Sequence, residues 1–331
     1  MNNITLSSLV AILAAATVSA CQAETTAPQT AFDNVNQINA GELNIGYVDL
    51  GPKDGQPVIL LHGWPYDIHS YQHVAPALAK QGFRVIVPYN RGFGTTRFLQ
   101  ASTPRNGEPV AMAHDVVALM DALHIKQAVF AGYDWGARSA DIVAALWPGR
   151  VKALVSVSGY LISSQAIGEK PLPPQAELQW WYQFYFATER GKQGYSKNTH
   201  DFARLIWQQA SPGWKFSDAT FNASAASLDN PDHVAITLNN YRWRLGLEKG
   251  EAKYAADEQK LATLPAISVP TITIEGDNNG APHPAPQTYA GKFTGKYQHV
   301  TFTGNIGHNP PQEDPVAFTN AVVAANKLGE G

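Results

Sequence analysis

The sequence predicts an α/β architecture: a mainly parallel sheet with helices on both faces and a helical cap inserted between two strands. Three observations carry this. Short apolar runs alternate with stretches of helical period at both ends of the chain. The segment Gly132-Tyr133-Asp134-Trp135-Gly136 has the form of a sharp strand-to-helix turn, with glycines where backbone passes close to backbone. Between these regions, residues 160–264 hold no convincing strand and are rich in Trp, Tyr and Gln.

The first twenty residues are predicted to be an export signal. Leu6 to Ala20 form an apolar, small-residue run too short to remain as a membrane-spanning helix, although no Lys or Arg precedes it. The run ends at Val18-Ser19-Ala20-Cys21, which resembles a bacterial lipobox, and Cys21 is the only cysteine. A lipid anchor on Cys21 is therefore expected, with cleavage after Ala20 or Ala23 as the alternative. Either route carries the mature chain out of the cytoplasm, to the cell envelope or periplasm, with no intrachain disulfide. Residues 21–36 then read as a polar tether.

The elements follow in order. Leu43 to Leu50 alternates as early β structure. Pro57 to Leu61 and Arg84 to Pro88 are continuous apolar runs suited to strands covered on both faces. Tyr71 to Gln81 suits a helix between them. Val110 to Ile125 places Met112, Val116, Leu119, Met120 and Leu123 on one helical stripe. Gln127 to Ala131 is a buried strand leading into the turn at 132–136, and Ala137 to Trp147 a helix stopped by Pro148-Gly149. Val151 to Val157, Thr271 to Ile274 and His299 to Phe302 supply further strands, and Pro315 to Lys327 a last helix. The core is thus 37–159 plus 265–331, and the cap 160–264, lying over the strands' C-terminal ends where open α/β sheets place ligands.

At 331 residues, one large domain with an insertion buries a sizeable core. The 15% charged fraction and net charge of −3 give no reason to expect nucleic acid. A membrane enters only through the lipid anchor.

Asp134 is the residue that directs the chemistry. It stands where a G-x-S-x-G turn carries serine. A carboxylate there attacks saturated carbon, displaces a leaving group and becomes an alkyl ester that water must hydrolyse. Epoxide opening and dehalogenation suit it; ester or lactone hydrolysis does not, and no G-x-S-x-G occurs in the chain. His308, in Gly307-His308-Asn309 after the last predicted strand, is the candidate base for that water. His62-Gly63-Trp64-Pro65 follows the strand 57–61, where the backbone N–H of Trp64, with that of Trp135, is placed to hold the oxyanion. His62 is a candidate pocket residue.

With these motifs the chain resembles the epoxide hydrolases of the α/β-hydrolase superfamily, from about residue 40 to 328. The resemblance implies an α/β-hydrolase fold, no cofactor and no metal, and a small apolar epoxide as substrate. Trp181-Tyr182-Gln183-Phe184-Tyr185-Phe186 looks like the family segment with the first ring-opening tyrosine, implying that role for Tyr182. Asn240-Tyr241-Arg242 looks like the second, implying Tyr241. Trp180, Trp181, Phe184 and Phe186 would surround the substrate. The family's relay acid occupies the last place of G-x-x-D after the seventh strand. Here Gly276-Asp277-Asn278-Asn279 puts Asn279 there, with Asp277 two residues earlier as the preferred substitute. The other family position reads Ser158-Gly159-Tyr160 and offers no carboxylate.

Three rivals follow from the same residues. Haloalkane or haloacid dehalogenation keeps Asp134, with the Trp135 indole as halide donor. Fluoroacetate-type dehalogenases are similar too, but usually follow the nucleophile with arginine, whereas Trp135 stands there and Arg138 comes four residues after Asp134. The cap tyrosines favour the epoxide, since a departing halide needs no proton. An impaired envelope binding protein is the non-enzymatic alternative, motivated by Asn279.

Overall fold

The computed structural model describes residues 31–330, so the expected signal segment, Cys21 and most of the tether lie outside the described residues. The sheet comprises β1 (Asn36–Ala40), β2 (Leu43–Leu50), β3 (Pro57–Leu61), β4 (Arg84–Pro88), β5 (Arg97–Phe98), β6 (Ala128–Gly132), β7 (Val151–Val157), β8 (Thr271–Gly276) and β9 (Tyr297–Phe302). Its order is β1-β2-β4-β3-β6-β7-β8-β9, with β5 beside β2. From β4 to β9 every pairing is parallel; β1, β2 and β5 form an antiparallel edge.

The continuous apolar runs in β3 and β6 are explained by the two cores they serve. Alternate side chains point to opposite faces. Val58, Leu60, Val129 and Ala131 enter one cluster, with residues of the helices Val74–Ala79 and Pro315–Leu328. Ile59, Leu61, Ala128 and Phe130 enter the other, under the helices Pro109–Ala122 and Trp135–Leu146. With both faces covered, no position in these strands tolerates a polar residue. The expected α/β-hydrolase fold is the one observed.

Three local departures have simple causes. The expected helix 71–81 is shorter: a 3-10 turn, Ile68–Tyr71, precedes the helix Val74–Ala79. Pro76 lacks the N–H that a longer helix would need at that point. The tether expected to run to residue 36 is already packed before then. Ala31–Asp33 is a 3-10 turn, and Phe32, only 4% exposed, lies 5.9 Å from the His69 ring. Finally, Asn36–Ala40 is a strand although its sequence is mostly polar, because it lies at the sheet edge, where side chains meet water.

Between β7 and β8 the described chain is helical, including Trp181–Ala187, Thr199–Ala210 and His233–Arg244. Its aromatic residues join the core cluster of the first face. Tyr254 and Leu261 instead join the cluster of the opposite face.

A buried polar chain fastens cap to core. The Trp64 indole N–H donates to the Tyr195 hydroxyl (3.0 Å), which lies 2.8 Å from His233 Nε2, and His233 Nδ1 lies 2.9 Å from the Gly92 carbonyl. Burial pushes the His233 imidazole down to about 4, so it is neutral at pH 7. Only a neutral ring donates from Nδ1 and accepts at Nε2 together, so the chain runs in one direction. Trp207 adds a second link, its indole N–H donating to the Pro65 carbonyl (3.0 Å).

Candidate active site

Asp134 sits in the turn between β6 and the helix Trp135–Leu146 with φ 53° and ψ −123°, a conformation L-residues rarely adopt. The glycines around it are sterically required. A Cβ on Gly136 would fall on the Leu61 carbonyl oxygen, one on Gly132 would lie 2.6 Å from the Gly136 carbonyl carbon, and one on Gly63 would lie 2.5 Å from Asp134 Cβ. The strained turn therefore closes only with glycine at all three places, and it thrusts the carboxylate out from the strand end.

Asp134 Oδ1 accepts the Trp64 backbone N–H at 2.8 Å, and Oδ2 lies 3.5 Å from His308 Nε2. Burial raises the cost of its charge. The His308 interaction and the N–H groups of Trp64 and Trp135 outweigh that, holding the carboxyl below its ordinary value. Asp134 is thus an ionised carboxylate at neutral pH.

His308 lies on the loop after β9, at the same edge. Its backbone N–H donates to the Ser211 hydroxyl (2.9 Å). Glu313 braces the loop, accepting from Gly307 N (2.6 Å), Asn309 N (2.9 Å) and Ser211 Oγ (2.7 Å). His308 Nδ1 is buried and has no hydrogen-bond partner among the described residues.

A cavity of about 340 Å³ opens above these groups, within the range of small-molecule sites. Its core-side wall includes Trp64, Asp134, Arg138 and His308; its cap-side wall includes Trp180, Tyr182, Ile206 and Arg244. A second cavity of about 490 Å³ adjoins it, sharing Arg138, Leu161, Leu172, Trp180, Arg244 and Pro284.

Comparison with known proteins agrees with this geometry. Residues 56–195 match the α/β hydrolase fold family. A crystal structure of a candidate epoxide hydrolase from Klebsiella pneumoniae is 75% identical, with 90% of this chain and 98% of that chain covered and a TM-score of 0.89. The chain belongs to the epoxide hydrolase family of the α/β-hydrolase superfamily. Epoxide hydrolase B of Mycobacterium tuberculosis is 34% identical over 152 residues, which is 42% of either chain, so the match spans less than half of that relative. Potato epoxide hydrolase I, at 19% identity and TM-score 0.70 over 88% of this chain and 98% of that one, shares the fold.

Several family residues expected from the sequence meet here. Asp134, His308, the backbone N–H groups of Trp64 and Trp135, and Tyr182 converge on one strand edge. Tyr241 packs behind Tyr182, ring centroids 5.2 Å apart and edge-on, and is 1% exposed. Other expectations need correction. Asp277 does not reach His308: its carboxylate accepts from Gly304 N and Ile306 N, both 2.9 Å, and so shapes the loop. Asn279 is turned away as well, donating to Glu275 Oε1 (2.8 Å) and accepting from Ala281 N (3.0 Å). His62 is fully buried and lines no part of the cavity. Its Nε2 accepts the Asn90 N–H (3.1 Å), and its Nδ1 lies 2.9 Å from the Gly63 carbonyl.

Trp181 and Phe184 are also absent from this cavity's wall. Tyr182 and Phe186, four apart on their helix, take the buried face, whereas Trp181 donates to Gln209 (3.1 Å) and Phe184 is 42% exposed beside the adjoining cavity. Trp180 lines the wall instead. Ser211 and Arg244 had no sequence signal, since their contacts to the loop and to the cavity join parts of the chain distant in sequence, and Glu313 meets Ser211 in the same way.

Asp141 stands one helical turn beyond Arg138. Burial pushes its carboxyl up to about 7, against the Leu161 N–H it accepts (2.7 Å) and the Arg138 charge. An acid whose native value is raised holds its proton more tightly in the folded chain, so it costs stability as pH rises from about 4 towards about 7. Asp141→Asn keeps the Leu161 bond and removes that titration. Its Tm minus that of the wild type should increase between pH 5 and pH 8 in thermal melts; a constant difference would contradict the assignment.

Proposed function

We propose that this protein hydrolyses an epoxide to a vicinal diol through an alkyl-aspartyl intermediate. The carrying observation is the placement of Asp134: Oδ1 on the Trp64 N–H, Oδ2 3.5 Å from His308 Nε2, both facing a cavity that Tyr182 lines. Membership of the epoxide hydrolase family, and the names of its relatives in Klebsiella and Mycobacterium, support the substrate class.

In the first half, an Asp134 oxygen bonds a ring carbon as that carbon's C–O bond breaks, and the released oxygen takes a proton from Tyr182, with Tyr241 beside it. In the second half, His308 Nε2 takes a proton from water as its oxygen attacks the aspartyl carbonyl. The N–H groups of Trp64 and Trp135 hold the oxyanion until the ester C–O bond breaks. The leaving oxygen takes the remaining proton of the attacking water, the diol departs, and the proton on His308 returns to the Tyr182 phenolate. Among the described residues the buried His308 Nδ1 has no acceptor to stabilise the imidazolium formed here. Ester hydrolysis is therefore the slower half. Halide release is less well served. The Trp135 indole lines no part of the cavity, and the Trp64 indole N–H is engaged by Tyr195.

We also propose export with lipid attachment at Cys21, on the small-residue motif alone; Cys21→Ala should move the protein from the membrane to the soluble envelope fraction, and an unchanged distribution would exclude the anchor.

His308→Gln incubated with styrene oxide should gain the full mass of the epoxide on Asp134, seen by intact-protein mass spectrometry. Adducts formed from 1-bromohexane but from no epoxide would replace this reading with dehalogenation. In the wild type, rapid quenching during turnover should find most of the enzyme as ester; an unmodified steady-state enzyme that still forms diol would show hydrolysis is not slower.

A further inference from the structure

The charges lining the cavity do not balance. Among the described residues that line it Asp134 is the one carboxylate, whereas two arginines, Arg138 and Arg244, line it from the core and the cap. Neither arginine forms a salt bridge among the described residues, and the Nε of each is buried without a hydrogen-bond acceptor. Arg138 donates to the Leu161 carbonyl, and Arg244 lies over the Tyr241 ring at 4.9 Å. These contacts fix both side chains without neutralising either. Both side chains are only half-buried, but two like charges near one another still repel. Burial and the nearby Arg244 pull the Arg138 guanidinium down to about 9 despite Asp134 and Asp141. Asp141 offers incomplete compensation, its own carboxyl being raised to about 7.

We propose that Arg138 and Arg244 form a carboxylate-binding subsite, and hence that the substrate is an epoxide bearing a carboxylate. This rests on the epoxide reading above and adds what that reading omits, a reason for two unpaired cations beside an anionic nucleophile. The planar guanidinium forks suit a carboxylate, with free N–H donors on both. They also offset the repulsion between an anionic substrate and Asp134. The remaining wall, Trp180, Leu161, Leu172 and Ile206, is apolar and suits a hydrocarbon body.

The test compares 3-phenyloxirane-2-carboxylate with its methyl ester. Wild-type kcat/KM should favour the acid at least about ten-fold, as a charge-assisted pair implies. Arg138→Gln and Arg244→Gln should each lower that ratio about ten-fold, and Arg138→Lys and Arg244→Lys by less. No wild-type preference overturns the proposal. So does an equal fall on both compounds, which would mean that Arg244 serves only the tyrosines.

If neither compound is turned over, the subsite is read by calorimetry with phenylacetate against phenylacetamide, and the epoxide reading falls only if styrene oxide also gives no adduct. Tighter phenylacetate binding that the Gln variants lose supports the subsite; equal binding overturns it. The wild-type comparison decides should the Gln variants fail to fold.

Discussion

The site depends on one constraint: Asp134 is held at positive φ while its carboxylate accepts the Trp64 N–H. The strained backbone costs on the order of 1–3 kcal/mol and persists only because its surroundings allow no other path. Gly63, Gly132 and Gly136 remove the atoms that would obstruct it. Trp64 is itself held from the cap, through Tyr195, His233 and Gly92. The Trp64 N–H that meets Asp134 is therefore fixed by groups from three separate parts of the chain. A change at His233, far from Asp134 in sequence, would be felt at the nucleophile through Trp64.

His308 is positioned by different means. A relay carboxylate would both aim an imidazole and share its charge. Here the aim comes from the backbone, through Ser211 and Glu313, and among the described residues the one carboxylate paired with its ring is Asp134. Orientation and charge stabilisation are separated. In the proposed reaction a neutral ester replaces that carboxylate before His308 takes its proton from water. The partner that holds His308 at the start of the cycle is thus lost when the base is needed.

The sheet was legible because burial on both faces leaves a direct mark: Pro57 to Leu61 and Arg84 to Pro88 read as strands and are strands with those bounds. The turn at 132–136 was legible because close packing demands glycine at fixed spacing. Asn36–Ala40 was not, since an edge strand needs no apolar run. The relay acid was misplaced because proximity in sequence suggested proximity to His308. Asp277 is near that loop, but the N–H groups of residues 304 and 306 claim its carboxylate first. Similarly, His62 has the composition of a site residue. Its ring is occupied by Asn90 and Gly63, contacts that appear only once β3 and β4 pair.

Electrostatics also gives the proposed proton transfer its timing. Burial, and then the Asp134 charge, raise the Tyr182 phenol above its ordinary value, while Arg244 pulls it down. The same opposition acts on Tyr241, where Tyr182 adds to the upward pull. While Asp134 is free, both phenols keep their protons, and the nucleophile is not quenched by its own acid. Attack on the epoxide converts Asp134 to a neutral ester. One of the forces that raised the phenol then vanishes, and the pull from Arg244 remains. Tyr182 becomes a better acid at the moment an alkoxide appears to receive its proton. A carboxylate bound on the arginine pair would weaken the Arg244 share, but not the loss of the Asp134 charge. The negative charge passes from the carboxylate to the phenol oxygen, so the cavity never holds the full positive charge of both guanidiniums unopposed. Ester hydrolysis returns that charge to Asp134, raises the phenol again and draws the proton back.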